Sequence, residues 1–175
     1  MHVSALDSDD RQAMDACTRW VRRGVQCSPS VIDIHVDFSC RGSWFLPALR
    51  SSSSSRLTRL LHHGVGLDGN FAKQLCSVCP LLEELSLTRC LCHSGKIMST
   101  TLRHLTILDP SVREGMVVTA PRLTSLCTSF PTISCPDGIY VTDTSSFVKA
   151  SVRVMGFDQG QMNANFWEKL IMQRI

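Results

Sequence analysis

Aromatic residues are scarce in this chain: they make up 6% of its 175 residues, with a single tyrosine. A core short of rings has to be filled by Leu, Val, Ile and Met, so regular small-rung packing is expected rather than a few large anchors. Long hydrophobic runs are missing too. No stretch approaches the roughly 18 to 20 apolar residues of a membrane-spanning helix, and no membrane partner is expected. The charge is mild, +3 in total with 19% charged residues, and shows no clustered basic face; that argues against a dedicated nucleic-acid binder. Met1 to Asp10 is polar and acidic, without the basic start and apolar stretch of a secretion signal. G-x-S-x-G, P-loop and H-E-x-x-H motifs are absent. An enzyme is not expected, and no cofactor is called for.

What the chain does have is cysteine, nine in all, an odd number in a chain that is not small. Without a secretion signal, a reduced cytoplasmic or nuclear setting is the expectation, with most thiols serving as small buried hydrophobes. Cys76-x-x-Cys79 followed by Cys90-x-Cys92-His93 offers zinc-ligand residue types. The competing reading is that Cys79 and Cys90 are buried spacers of a repeat. His62, His63 and His104 have no carboxylate or nucleophile at a telling distance and read as surface groups.

The chain also has a recurring phrase. Leu82-Glu83-Glu84-Leu85-Ser86-Leu87-Thr88-Arg89-Cys90 spells L-x-x-L-x-L-x-x-C. In register with it stand Val31-x-x-Ile34-x-Val36, Leu57-x-x-Leu60-x-His62, Leu102-x-x-Leu105-x-Ile107, Leu123-x-x-Leu126-x-Thr128 and Phe147-x-x-Ala150-x-Val152. Successive starts lie 26, 25, 20, 21 and 24 residues apart. A unit that short cannot bury its own apolar face and survives only by stacking on copies of itself. The predicted architecture is an α/β leucine-rich-repeat solenoid of about six repeats over 31–160. A parallel β-sheet lines its concave face, with irregular helices and loops on the convex face.

Between the phrases, Asp68 to Cys79 reads as a helix, while Pro110, Pro121, Pro131 and Pro136 predict loops or single turns in the later returns. Residues 39–56, with Gly42, Pro47 and five consecutive serines, read as an exposed loop. Residues 1–30 form an N-terminal capping region whose helix spans 7–23, ends at Gly24, and covers the first repeat with Trp20 and Val21. Gln161 to Ile175 reads as a closing helix with Phe166, Trp167, Leu170 and Ile171 on one face.

These residues resemble a known family. Leu57-Thr58-Arg59-Leu60, Gly64-Val65-Gly66-Leu67-Asp68, Cys79-Pro80-Leu81-Leu82-Glu83-Glu84-Leu85-Ser86-Leu87, Ser99 to Ile107 and Thr119 to Leu126 closely resemble the leucine-rich-repeat region of plant F-box proteins. The resemblance implies that the repeats present a protein substrate to a cullin-type ubiquitin ligase. An F-box, the segment that docks a Skp-type adaptor, has no counterpart in the roughly 30 residues before the first strand. Adaptor binding is therefore expected only if an F-box lies upstream, and a free-standing repeat protein without ligase coupling is the rival reading.

Strand alternation then places the candidate partner surface. The third positions of the phrase form one column: Asp33, Arg59, Glu84, His104, Ser125 and Lys149. The fifth positions form a second: His35, Leu61, Ser86, Thr106, Cys127 and Ser151. Alternating charge over the first three rungs of the first column predicts pairing between neighbours. A monomer binding an unidentified protein through this face is the expected form.

Overall fold

The computed structural model describes residues 8–36, 45–47, 55–93, 95–112, 115–131, 139–143 and 145–155. An N-terminal helix, α1 (Ser8–Gln26), leads into six parallel strands that form one sheet: β1 (Val31–His35), β2 (Arg59–His63), β4 (Glu84–Thr88), β7 (His104–Leu108), β10 (Ser125–Pro131) and β12 (Lys149–Met155). Their order in space is their order in the chain, as stacking coils require. The alternation that defines the phrase becomes alternation of burial. Leu82, Leu85 and Leu87 are at most 1% exposed, as are Leu102, Leu105 and Ile107, while Glu84, Ser86, His104 and Thr106 are not buried.

One residue turns each of three strands out of the sheet. Gly64, Arg89 and Asp109 stand at the same place, just past β2, β4 and β7, and all have left-handed φ of 69°, 52° and 49°. Their amides donate to Thr88, Leu108 and Ser129 of the next coil, at 2.9, 2.7 and 2.6 Å. At Gly64 the requirement is double, because a Cβ there would strike the Val36 carbonyl oxygen. After this corner the chain enters a second parallel sheet of two-residue strands, β3 (Gly66–Leu67), β5 (Leu91–Cys92) and β8 (Ser111–Val112). Val65, Cys90 and Pro110 occupy the same buried corner position, so Cys90 is a small spacer with its thiol donating to the His62 and Thr88 carbonyls.

The return to the next coil takes one of two forms. The 25-residue coil that begins at Leu57 uses a helix, α2 (Phe71–Val78). The later coils use strands β6 (Lys96–Met98), β9 (Met116–Thr119) and β11 (Ile139–Val141), which form a third parallel sheet. Eight helical residues advance about 12 Å and four extended ones about 13 Å. The coils from Leu82 and Leu102, four or five residues shorter, therefore span the same gap only by going extended. The prolines of these returns predict loops or single turns. Among the described residues of these returns there is no helix, and short strands stand in its place.

The first repeat begins two residues earlier than the phrase implies. Val31 pairs with Arg59, Ile32 with Leu60 and Ile34 with His62. Ser30, not Ile32, accepts from the amides of Thr58 and Arg59, as Thr58, Glu83, Arg103 and Thr124 do one coil further on each time. Pro29 therefore stands where Leu57 and Leu82 stand, and Val31 is 44% exposed instead of forming core. A two-residue slip leaves every side chain on the same face, so alternation alone does not detect it.

Helix α1 also departs from expectation. It runs through Gly24 to Gln26, and the turn that follows passes through Ser28, whose φ is 49°. The apolar face that packs on the core is Met14, Cys17, Val21 and Val25; Trp20 lies off it and is 72% exposed. Within 39–56, Phe45 makes a parallel bridge to Gly66 and so adds a rung to the second sheet. The expected closing helix at Gln161 to Ile175 lies outside the described residues, as do its capping side chains. In the last strand Ala150 is exposed and Val152 is 41% exposed, unlike their counterparts in the inner strands.

Candidate functional site

The outward face of the six-stranded sheet carries three columns, set by the strand registers. The first is Val31, Arg59, Glu84, His104, Ser125 and Lys149. The second is Asp33, Leu61, Ser86, Thr106, Cys127 and Ser151. The third is His35, His63, Thr88, Leu108, Ser129 and Arg153. The slip in the first repeat moves Asp33 from the first column to the second and His35 from the second to the third. Every other candidate residue stands in the column its spacing predicts. The phrase does not single out the third column beyond His35, although its signal is present: strand alternation simply continues two positions further.

Two contacts organise the N-terminal half of this face. Arg59 Nε lies 2.7 Å from Glu84 Oε2, and Arg59 Nη2 donates to Glu84 Oε1 at 3.1 Å. This is a two-point guanidinium–carboxylate pair between adjacent rungs, in which each charge partly offsets the other. His35 stacks on His63, with ring centroids 4.6 Å apart and planes 2° from parallel. Along the rim, Arg103 Nε faces Glu83 Oε1 at 3.8 Å.

Beneath the face, the core position that reads Ile34, Leu87 and Ile107 in three coils is His62 in the second and Thr128 in the fifth. His62 is 2% exposed, and neither ring nitrogen has a hydrogen-bond partner. Burial pushes its pKa down to about 4, so the ring is neutral at pH 7. An aromatic neighbour is Phe71 of α2, with centroids 6.2 Å apart. The reading of His62 as a surface group is thus corrected: it faces inward because its place in the phrase is a core place. Thr128 Oγ1 is likewise buried and unpaired.

The cysteine cluster does not assemble. Cys76 and His93 are exposed, whereas Cys79, Cys90 and Cys92 are buried. Burial raises the thiol pKa of Cys90 and pushes that of Cys79 up to about 11, which disfavours the thiolate a metal would need. Among the described residues no group of three or more His, Cys, Asp or Glu is placed to hold a metal ion, and no helix is long and apolar enough to cross a membrane.

What this arrangement can do is present a ribbed, mostly polar surface to another macromolecule. Residues 25–157 match the family model described as "FBD-associated F-box protein At5g56370, LRR repeats". A curated relative, the "MEIOTIC F-BOX protein MOF" of Oryza sativa subsp. japonica, is 33% identical over 151 residues, covering 81% of this chain and 31% of the rice protein. The chain thus spans about a third of the length of that relative. No solved structure matches. The chain belongs to the family of FBD-associated F-box proteins, of which it carries the leucine-rich repeats.

Proposed function

We propose that the concave six-stranded sheet binds a protein partner and that this partner is the substrate of a cullin-type ubiquitin ligase. One observation carries the reading: a repeat solenoid of the F-box family leaves three columns of unburied side chains side by side on one face. The chain itself performs no chemistry in this reading. It selects and holds, in the cytoplasm or nucleus, and the adaptor-docking F-box is supplied outside the described repeats.

The test is site-specific photo-crosslinking in cells, with a photoreactive residue at Ser86 or Thr106 on the concave face and at Thr100, on the exposed bend before β7, as the control. A partner captured from Ser86 and Thr106 but not from Thr100 is the expected result. Its ubiquitylation falls when the chain is removed. Capture from the control position alone refutes the concave face as the binding surface. Capture without any change in ubiquitylation, and without co-purification of a Skp-type adaptor, favours the free-standing repeat protein.

A further inference from the structure

The two halves of the concave face differ in charge. On β1, β2 and β4, the acidic residues Asp33 and Glu84 offset Arg59, and Glu84 is already engaged by it. On β7, β10 and β12 there is no acidic residue at all. Their outward positions hold Lys149 and Arg153, both exposed, the exposed His104, and small hydroxyl groups at Thr106, Ser125 and Ser129. The neighbouring carboxylates Asp109 and Asp143 lie outside these strands.

Resting on the reading of this face as a protein-binding surface, we infer that its C-terminal half receives an acidic, extended segment of the partner protein. The spacing selects the occupant. Lys149 and Arg153 stand four residues apart on one strand, about 13 Å. His104 and Lys149 stand two strands apart, about 10 Å. Their backbone spacing sets the two cations, Lys149 and Arg153, out along the strand. They match carboxylates spread along an extended chain, whose own four-residue repeat is also about 13 Å. The hydroxyls between them are short donors that let the backbone of such a segment approach the sheet. A surface of this kind gains its selectivity from charge complementarity and loses affinity as salt screens it.

The experiment is fluorescence anisotropy on the full chain, with a labelled Gly/Ser peptide carrying glutamate at every fourth residue. The peptide binds, and its affinity falls steadily with rising salt. Lys149→Glu and Arg153→Glu each weaken it about tenfold, Lys149→Arg retains it, and the same charge reversal at Lys96→Glu, exposed on the third sheet, leaves it within about twofold. Circular dichroism confirms that each variant is folded. Equal binding of the matching glutamine peptide, or indifference to both charge reversals, overturns the inference. So does tighter binding of a peptide with one phosphoserine, or of a single-stranded oligonucleotide of equal charge. Crosslinking from Ser86 and Thr106 without acidic-peptide binding sinks this inference and leaves the concave-face reading standing. Peptide binding with no protein crosslinked from either position sinks that reading instead.

Discussion

Arg59 and Glu84 grip each other across two neighbouring rungs through two nitrogen–oxygen contacts, 2.7 and 3.1 Å long, on a face that partners would touch. The side chains are 51% and 32% exposed, so water and salt screen most of the attraction. A double-mutant cycle with Arg59→Ala and Glu84→Gln in urea unfolding is expected to give a coupling below about 1 kcal/mol, shrinking further at roughly 1 M salt. A coupling of several kcal/mol would mean the pair stabilises the coil stack rather than merely offsetting two surface charges.

His62 makes stability depend on pH. Its folded pKa is about 4 against an ordinary 6.5, so between those values the unfolded chain binds more protons than the folded one. Stability is therefore full above about pH 6.5, declines as pH falls toward 4, and levels off below, with a loss of order 3 kcal/mol from this group. His62→Leu copies Leu87 one coil on and removes two unpaired buried nitrogens. It is expected to stabilise the fold by about 1 to 3 kcal/mol and to flatten the slope between about pH 4 and 6.5 in chemical denaturation. An unchanged slope in the variant would show that other groups carry the acid sensitivity.

Two glycines respond oppositely to alanine. Gly64 has left-handed φ and no room beside the Val36 carbonyl, so Gly64→Ala costs at least about 2 kcal/mol. Gly24 lies inside α1 with nothing within 4 Å of an added Cβ, so Gly24→Ala adds about 0.5 to 1 kcal/mol by raising helix propensity. Thermal melts of both variants check the contrast. A neutral Gly64→Ala would mean that the corner after β2 relaxes into another turn.

Thiol reactivity sorts the cysteines by their place in the coil. Cys27 and Cys76 are exposed and react first with an alkylating reagent at neutral pH. Cys79, Cys90 and Cys92 are buried and are modified only at the rate of unfolding. Mass spectrometry of a labelling time course reads this directly. Rapid loss of the Cys79 and Cys90 thiols, or stoichiometric zinc in the purified protein, would revive the metal reading.

The repeats from Leu57 onward are legible because two features recur together: the apolar phrase and its spacing. The first repeat is not. Pro29 hides its opening position, and Val31-x-x-Ile34-x-Val36 mimics the phrase two residues late, on the same faces. The returns are half legible. Prolines exclude helices after Leu102 and Leu123, but extended strands and irregular loops share that signature until neighbouring coils supply hydrogen-bond partners. Trp20 is misplaced because a helix of known sequence still has a free rotation about its axis, and only packing on the first coil shows that Met14, Cys17, Val21 and Val25 set it.

By itself, then, the sequence determined the number of stacked rungs from Leu57 to Val152 and which side chains line their first two outer columns. Those follow from local periodicity, which any window of the chain displays. The tertiary structure alone decided the alignment of the first rung, the choice of helix or strand for each return, the closing of Arg59 on Glu84, and the burial of His62 without a partner. Each of these depends on what the adjacent coil offers: a carbonyl ladder beginning at Ser30, a gap of fixed width, an opposite charge one rung away, or a core slot with no polar atom in reach.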